Sequence, residues 1–284
     1  METILRSATK SVRIGPGHPL VIIGERINPT GRKRLARAVE EGDFKLIQEE
    51  AVRQVEKGAH ILDVNVGVSG IDEPRMLQEA VRAVRDVTDV PLCIDSAMPE
   101  ALEAGLAACD GKALVNSVNG ERRKLEQVLP IVKQFGAGVV GLTMDDEGIP
   151  KEAGKRLEIA ERILDAALRH GIPAEDVIID PLAMAISTDE RAALETLKSL
   201  QRIRDKLGLN QILGVSNVSF GLPERHAINA LFLATAAQNG LVCCIIDPTV
   251  WEMRRAVLIA DMLMGMDEFC MNFISAYREE SSGG

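Results

Sequence analysis

The sequence predicts an α/β protein of the (β/α)8 barrel class, also called the TIM barrel, and two observations lead to this prediction. Eight short apolar runs alternate with longer amphipathic segments along the 284 residues. The runs are too continuous for strands with one wet face, so they fit parallel strands buried on both sides. Eight strand–helix units joined by short connections close most economically into a barrel. An open doubly wound sheet is the alternative, but residues 24–31 lack the Gly-rich first turn, GxGxxG, that such sheets usually carry.

The elements follow one another in a regular order within one predicted domain, residues 1–284. The predicted strands are 20–24, 61–64, 91–94, 113–115, 138–142, 177–179, 212–215 and 241–246. The predicted helices are 44–57, 74–87, 99–108, 122–135, 153–170, 189–207, 224–240 and 251–264, with a short final helix near 268–277. Residues 1–18 are expected to form a loose N-terminal arm, and residues 279–284 a disordered tail.

Charge and cysteine content narrow the class of partner. The formal net charge is −9, and nucleic-acid binding would need a concentrated basic surface, so no nucleic-acid partner is expected. No apolar stretch reaches about 18 residues, so no transmembrane helix is expected. The five cysteines form no CxxC pair, which is typical of a reduced cytoplasmic protein. Cys243 and Cys244 lie in an apolar run and are expected to be buried thiols.

Polar side chains follow every predicted strand at its carboxyl end. In a barrel these ends and the loops after them form the active site. Asp and Asn also mark turns and helix caps, so any one of them has an ordinary structural explanation. Four of them occur at equivalent places, which favours a functional ring: Asp95, Asn116, Asp180 and Asn217.

The chemistry of this ring excludes several kinds of enzyme. None of the four histidines lies at a strand end, and there is no HxH or HExxH motif, so a zinc hydrolase is disfavoured. No lysine stands at a strand end for a Schiff base, and no GxSxG elbow is present. Carboxylates and carboxamides suit a flat, nitrogen-rich heterocycle, because a carboxylate accepts two parallel N–H bonds and Asn both donates and accepts.

Seven motifs, in this order, resemble those of the pterin-binding barrel family. The similarity spans about residues 20 to 275 and is strongest to the methyltetrahydrofolate:corrinoid protein methyltransferases and the folate domain of cobalamin-dependent methionine synthase. The motifs are VIIGERIN at 21–28, LDVNVG at 62–67, CIDS at 93–96, VNS at 115–117, GLTM at 141–144, IDPL at 179–182 and GVSNVS at 214–219.

The resemblance implies roles for individual side chains. Asp95, Asn116 and Asp180 match positions that hold the pterin ring by hydrogen bonds, and Asp63 and Asn65 match further polar positions of the pterin pocket. Asn217 matches the catalytic side chain that reaches the N5 region, and Arg225 matches a residue on the glutamate-bearing side of the folate. The residues implied to face the corrin are Asn28, Thr30 and Ser117.

The implied reaction moves the N5 methyl group between methyltetrahydrofolate and the cobalt(I) corrinoid, a cobalamin, of a separate corrinoid protein. The chain lacks the DxHxxG corrinoid-binding motif, so the corrinoid is expected on that partner, and no bound metal is expected. No strand-end residue is expected to titrate near neutral pH, so Asn217, alone or through a water, is expected to stabilise the protonated N5. The resemblance also implies a homodimer.

Two alternatives remain open, together with two local questions. A dihydropteroate synthase uses the same barrel, but it would bring a basic pair for diphosphate near the seventh strand. A non-catalytic folate-binding subunit is the other alternative. The stretch 220–223 (FGLP) departs from the more polar one expected in the acetyl-CoA-pathway enzymes. The basic cluster Arg32, Lys33, Arg34 and Arg37 is either a solvated helix face or a docking site for an acidic partner.

Overall fold

The computed structural model describes residues 1–282 and contains ten strands and ten α-helices in that part of the chain. The strands are β1 Thr3–Arg6, β2 Ser11–Ile14, β3 Val21–Ile27, β4 Ile61–Val64, β5 Leu92–Asp95, β6 Leu114–Asn119, β7 Gly138–Leu142, β8 Val177–Asp180, β9 Asn210–Gly214 and β10 Cys243–Ile246. The helices are α1 Lys33–Glu41, α2 Lys45–Glu56, α3 Glu73–Arg85, α4 Pro99–Ala107, α5 Arg122–Phe135, α6 Ala153–Arg169, α7 Ala192–Leu207, α8 Arg225–Gln238, α9 Trp251–Leu263 and α10 Met271–Ser282.

The eight strands β3 to β10 close into one parallel barrel. Each strand pairs with its sequence neighbour, and β10 closes the ring by pairing with β3. All eight predicted strands are therefore present, and the predicted (β/α)8 class is confirmed. Adjacent Cys243 and Cys244 are both fully buried free thiols, as predicted.

The barrel interior is a compact apolar layer built from one residue of each strand. Side chains two residues apart on a strand point to the same side, so the interior residues can be read from the sequence with a period of two. The residues on this layer pack together as one cluster: Ile23, Ile61, Cys93, Leu114, Val140, Ile178, Ile212 and Cys243. The alternate residues, such as Leu62 and Ile94, face the helices in a second cluster.

Some boundaries differ from the predicted ones. The strand β3 runs on to Ile27, which pairs with Val64 of β4 after an irregularity beyond Gly24. The strand β6 runs on to Asn119, which pairs with Leu142 of β7. The predicted strands are shorter because they were bounded by the apolar runs. The hydrogen-bonded ladder continues past these runs through polar residues. In contrast, α7 begins at Ala192 rather than 189, since Asp189 accepts the N–H of Arg191 in a turn.

The N-terminal segment is not a loose arm. The strands β1 and β2 form an antiparallel hairpin that covers the amino-terminal end of the barrel. Leu5 and Ile14 are fully buried within the interior cluster. The side-chain amide of Asn210, at the start of β9, donates to the carbonyl of Ile14 and to the hydroxyl of Thr3, both at 2.9 Å. The sequence prediction failed here because these anchoring contacts join residues about 200 positions apart.

Shortening one hairpin side chain tests whether the hairpin is part of the core. Leu5→Ala is expected to lower the free energy of unfolding by about 2–5 kcal/mol, because it leaves a cavity in a closed layer. Arg13→Ala on the exposed edge of β2 is the control and is expected to change it by less than about 0.5 kcal/mol. Urea denaturation measures both, and a loss below about 1 kcal/mol for Leu5→Ala would restore the loose-arm interpretation.

The C-terminal end is helical as far as it is described. The helix α10 runs to Ser282, so residues 279–282 of the predicted disordered tail are ordered, while 283 and 284 lie outside the described residues. Lys57 of the loop after α2 bonds Glu280 at 3.0 Å, which ties this helix to the barrel. No helix between residues 1 and 282 is long and apolar enough to cross a membrane.

Candidate functional site

A second interior layer lies two residues beyond the apolar one, at the carboxyl ends of the strands. Stepping two positions along β3, β4, β5, β6 and β8 leads from apolar residues to polar ones. This layer brings together four predicted residues, and it adds a fifth that the sequence analysis did not select. Its polar members are Glu25, Asp63, Asp95, Asn116 and Asp180.

The predicted pocket residues of β4, β5 and β6 are bound to one another. The side-chain amide of Asn116 donates to a carboxylate oxygen of Asp63 at 3.2 Å. The amide of Asn65 donates to Asp95 at 3.0 Å. Burial raises the pKa of Asp63 well above its ordinary value, and the neighbouring Asp95 carboxyl raises it further. Burial also raises the pKa of Asp95 to about 6, although the bond from Asn65 opposes that shift.

Asp180 is a buried carboxyl that accepts hydrogen bonds from two backbone N–H groups. Its Oδ1 accepts the N–H of Leu182 at 2.7 Å, and Leu182 itself has a left-handed backbone with φ of 64°. Burial raises the pKa of Asp180 to about 7, against the opposing effect of the N–H groups of Leu182 and Gly214. This carboxyl therefore changes its charge close to neutral pH.

Asn217 lies on the 3-10 turn Val215–Ser219 directly after β9 and is exposed to solvent. Arg225, at the start of α8, stabilises this turn by two hydrogen bonds. It donates to the hydroxyl of Ser219 at 3.1 Å and to the carbonyl of Ser216 at 2.9 Å. Its guanidinium also stacks on the ring of Phe220, 5.4 Å from the centroid. The carboxamide of Asn217 makes no side-chain hydrogen bond within residues 1–282, so it is available to a ligand.

The residues predicted to face the corrin lie around the rim. Asn28 accepts the N–H of Thr30 at 2.9 Å in the loop after β3, and Thr30 at its tip is exposed. Ser117 follows Asn116 within β6 and is half-buried. Arg32 fastens the same loop because it donates to the carbonyl of Arg26 and pairs with Glu50 of α2.

The members of the basic cluster at residues 32–37 differ in exposure and in ion pairing. Arg32 is only 23% exposed at its side chain and is already engaged by Glu50. Lys33 and Arg34 point into solvent, and Arg37 pairs with Glu41 one turn later on α1 at 2.8 Å. The helix-face interpretation fits these positions, and docking of an acidic partner stays a prediction for the exposed members alone.

A cavity of about 280 Å³ opens beside the ring, between β3, the Asn217 turn and α8. Glu25, Asp247 and Arg225 line it, and Arg26 lies 3.2 Å from the Asp247 carboxylate. The Asn229 side chain, only 4% exposed, also lines the cavity, and its Oδ1 has no hydrogen-bond partner among residues 1–282. Burial, followed by repulsion from Asp247, raises the pKa of Glu25 to about 7.

The expectation that no strand-end residue titrates near neutral pH was therefore wrong. Glu25, Asp95 and Asp180 all have a pKa of about 6 to 7. The cause is burial, because burial disfavours the ionised carboxylate and so raises its pKa. Sequence composition does not reveal which carboxyls are buried. A period-two reading from Ile23 would have placed Glu25 in the ring.

A larger cavity, of about 430 Å³, lies outside the ring. It is formed by the loop after β7 and by α6, and residues such as Glu147, Lys151 and Lys155 line it. It contains none of the predicted site residues. Within residues 1–282, no group of three or more His, Cys, Asp or Glu side chains is arranged to hold a metal ion.

A family of known proteins matches most of the barrel sequence. Residues 24–247, more than half of the chain, match the family model described as pterin binding enzyme. The chain belongs to the pterin binding enzyme family.

Two curated relatives are similar along the chain. The chain is 33% identical over 270 residues to the methylcorrinoid:tetrahydrofolate methyltransferase of Eubacterium limosum, covering 93% of this chain and 98% of that one. It is 31% identical over 240 residues to the methionine synthase of Mycobacterium tuberculosis, which corresponds to 80% of this chain but 20% of that longer protein.

Solved structures share the architecture. A dihydropteroate synthase from Clostridium difficile superposes with a TM-score of 0.72 at 20% identity, over 88% of this chain and 98% of that one. A dihydropteroate synthase from Xanthomonas albilineans in complex with 7,8-dihydropteroate gives 0.68 at 20% identity, over 92% and 98%. At this identity the similarity establishes the fold alone.

Proposed function

We propose that this enzyme transfers a methyl group between N5 of methyltetrahydrofolate and a cobalt(I) corrinoid carried by a separate protein. The observation that carries the proposal is the ring of carboxyl and carboxamide groups with a free Asn217 carboxamide beside it. Family membership and 33% identity to a methylcorrinoid:tetrahydrofolate methyltransferase, along nearly the whole length of both chains, support it.

In this proposal the ring binds and orients the pterin. Asp95, Asn116 and Asp180 hydrogen-bond the pterin edge, with Asp63 and Asn65 lining the same pocket. The bonds from Asn116 to Asp63 and from Asn65 to Asp95, and the bond from the Leu182 N–H to Asp180, fix these side chains before the ligand arrives, which reduces the entropy lost on binding. Arg225 lies toward the glutamate-bearing side of the folate.

Asn217 acts on the reacting nitrogen. Cleavage of the N5–methyl bond leaves its electron pair on N5, so N5 must gain a proton, ultimately from solvent, to give tetrahydrofolate. The carboxamide of Asn217 stabilises the charge that develops there. The hydrogen bonds from Arg225 to Ser216 and Ser219 hold the turn of Asn217 in place. The corrinoid supplies the cobalt that accepts or donates the methyl group.

The rim residues Asn28, Thr30 and Ser117 face the incoming corrin. They lie on the loop after β3 and on β6, at the open end of the barrel. The partner that carries the cobalamin is a corrinoid protein. We also propose that the enzyme is a homodimer in the reducing cytoplasm, where its five free thiols persist.

Visible spectroscopy tests the proposed reaction. The protein is mixed anaerobically with methyltetrahydrofolate and free cob(I)alamin, and the spectrum of methylcobalamin is expected to replace that of cob(I)alamin only when the protein is present. A parallel sample receives a dihydropterin diphosphate and 4-aminobenzoate, and no dihydropteroate is expected. Dihydropteroate formation without methyl transfer would instead support a dihydropteroate synthase, and folate binding without either reaction a non-catalytic subunit.

A further inference from the structure

Arg156 is a buried cation that no proposed step uses. It lies in the first turn of α6 and is only 1% exposed. Its Nε donates to the carbonyl of Pro150 at 2.8 Å, in the loop after β7. One of its terminal nitrogens donates to the carbonyls of Pro181 and Leu182, at 2.8 and 2.9 Å, in the loop after β8. One guanidinium thus ties together two loops at the carboxyl end of the barrel.

The burial of this charge needs a reason. Among the ion pairs of residues 1–282, none joins a carboxylate to Arg156 within 4.0 Å. Hydrogen bonds to backbone carbonyls therefore stabilise its buried charge. A buried cation without a contacting anion is unfavourable for folding compared with an apolar side chain of similar volume. Burial accordingly lowers the pKa of Arg156, while the more distant Glu195, Asp180 and Asp189 favour its charged form.

The Pro181–Leu182 peptide joins Arg156 to the ring. Its carbonyl accepts from Arg156, and the N–H of the same peptide donates to Asp180 at 2.7 Å. Leu182 holds a left-handed conformation, φ 64°, that a non-glycine residue adopts only when its surroundings impose it. Polarisation of the carbonyl by a cation also makes the N–H a stronger donor.

We propose that Arg156 is a positioning residue for the folate site, which it serves by holding the Pro181–Leu182 peptide against Asp180. This inference rests on the proposed function, because it assumes that Asp180 binds the pterin. Thr196 of α7 completes the arrangement: its hydroxyl donates to the Leu182 carbonyl at 3.0 Å and lies 3.1 Å from Arg156. The guanidinium fork matters here, since a lysine ammonium cannot reach both loops in the same geometry.

The variant Arg156→Lys, which keeps the charge and loses the fork, tests the role. Calorimetry is expected to show at least about tenfold weaker tetrahydrofolate binding, the loss that accompanies one misplaced bond to a charged group. Leu5→Ala, at the opposite end of the barrel, is the control for lost stability, and its affinity is expected to stay within about twofold of the parent. An affinity for Arg156→Lys equal to that of Leu5→Ala would overturn the inference.

A double-mutant cycle separates positioning from general destabilisation. If Arg156 acts through Asp180, adding Arg156→Lys to Asp180→Asn is expected to weaken folate binding by less than about threefold further. A full additional tenfold loss would contradict a role through Asp180. If Arg156→Lys fails to fold by circular dichroism, Thr196→Val replaces it in the cycle, with the same two outcomes. Absence of folate binding by the parent protein would instead reject the proposed function.

Discussion

Asn217→Ala is expected to lower the single-turnover rate of methyl transfer by about 100-fold or more, while tetrahydrofolate binds within about tenfold of the parent affinity. The physical reason is the separation of roles in the site. The carboxyls Asp63 and Asp95 are buried and accept hydrogen bonds from the amides of Asn116 and Asn65, which suits the pterin-binding role proposed for the ring. Asn217 is exposed on its turn, and in the proposed mechanism its carboxamide acts on N5.

The control substitution removes a side chain next to Asn217 and keeps the backbone of the turn. Ser216→Ala lies on the same turn, and the contact it offers Arg225 is its backbone carbonyl, which the substitution retains. Stopped-flow spectroscopy with free cob(I)alamin measures the rate, and calorimetry measures folate affinity. A rate for Asn217→Ala within threefold of the Ser216→Ala rate would remove Asn217 from the reaction.

Asp180→Asn is expected to stabilise the unliganded protein at pH 8 by about 2–4 kcal/mol, because the parent must bury an ionised carboxylate there. The pKa of Asp180 is about 7 in the folded protein, raised from an ordinary value of 3.8. The folded state therefore binds more protons than the unfolded state between these two values. Parent stability from this group is complete below pH 4 and is lost as the pH rises to about 7.

The variant has no carboxyl to ionise, so its advantage over the parent is expected to vanish at pH 4. Urea denaturation at pH 4, 6 and 8 measures this change. Asp146→Asn, on the exposed loop after β7, is the matched control and is expected to change stability by less than about 0.5 kcal/mol at every pH. Equal stability of Asp180→Asn and the parent at pH 8 would contradict a buried, neutral-titrating carboxyl.

The same carboxyl predicts how folate affinity depends on pH. An ionised carboxylate accepts the N–H groups of the pterin edge, so affinity is expected to rise about tenfold from pH 6 to pH 8 as Asp180 loses its proton. Asp180→Asn is expected to bind more weakly and to lose this tenfold rise, leaving only about a twofold change from Asp95, whose pKa is about 6. Glu25 has a similar pKa, and Glu25→Gln is expected to keep the slope if Asp180 is the group that produces it.

The sequence predicts the barrel and most of its ring because both depend on local patterns. Buried parallel strands are continuous apolar runs, and an interior polar residue stands two positions beyond an interior apolar one, as Asp63 stands beyond Ile61. Glu25 follows the same rule from Ile23. It was missed because the apolar run ends at Gly24 while β3 continues to Ile27.

The remaining features depend on contacts that are distant in sequence. The hairpin at residues 3–14 is anchored by Asn210. From the sequence alone, Arg156 would be expected on an exposed helix face, because the Pro181 and Leu182 carbonyls that bind it come from a different part of the chain. Neutral titration of Asp180 also requires the folded structure, since its cause is burial.

A crystal structure of the complex with tetrahydrofolate tests the central claim about the site most directly. The account predicts the pterin ring within hydrogen-bond distance of Asp95, Asn116 and Asp180, with N5 facing the Asn217 carboxamide and open to the rim. A pterin bound in the cavity formed by the loop after β7 and by α6, or one whose N5 points into the barrel away from Asn217, would contradict it.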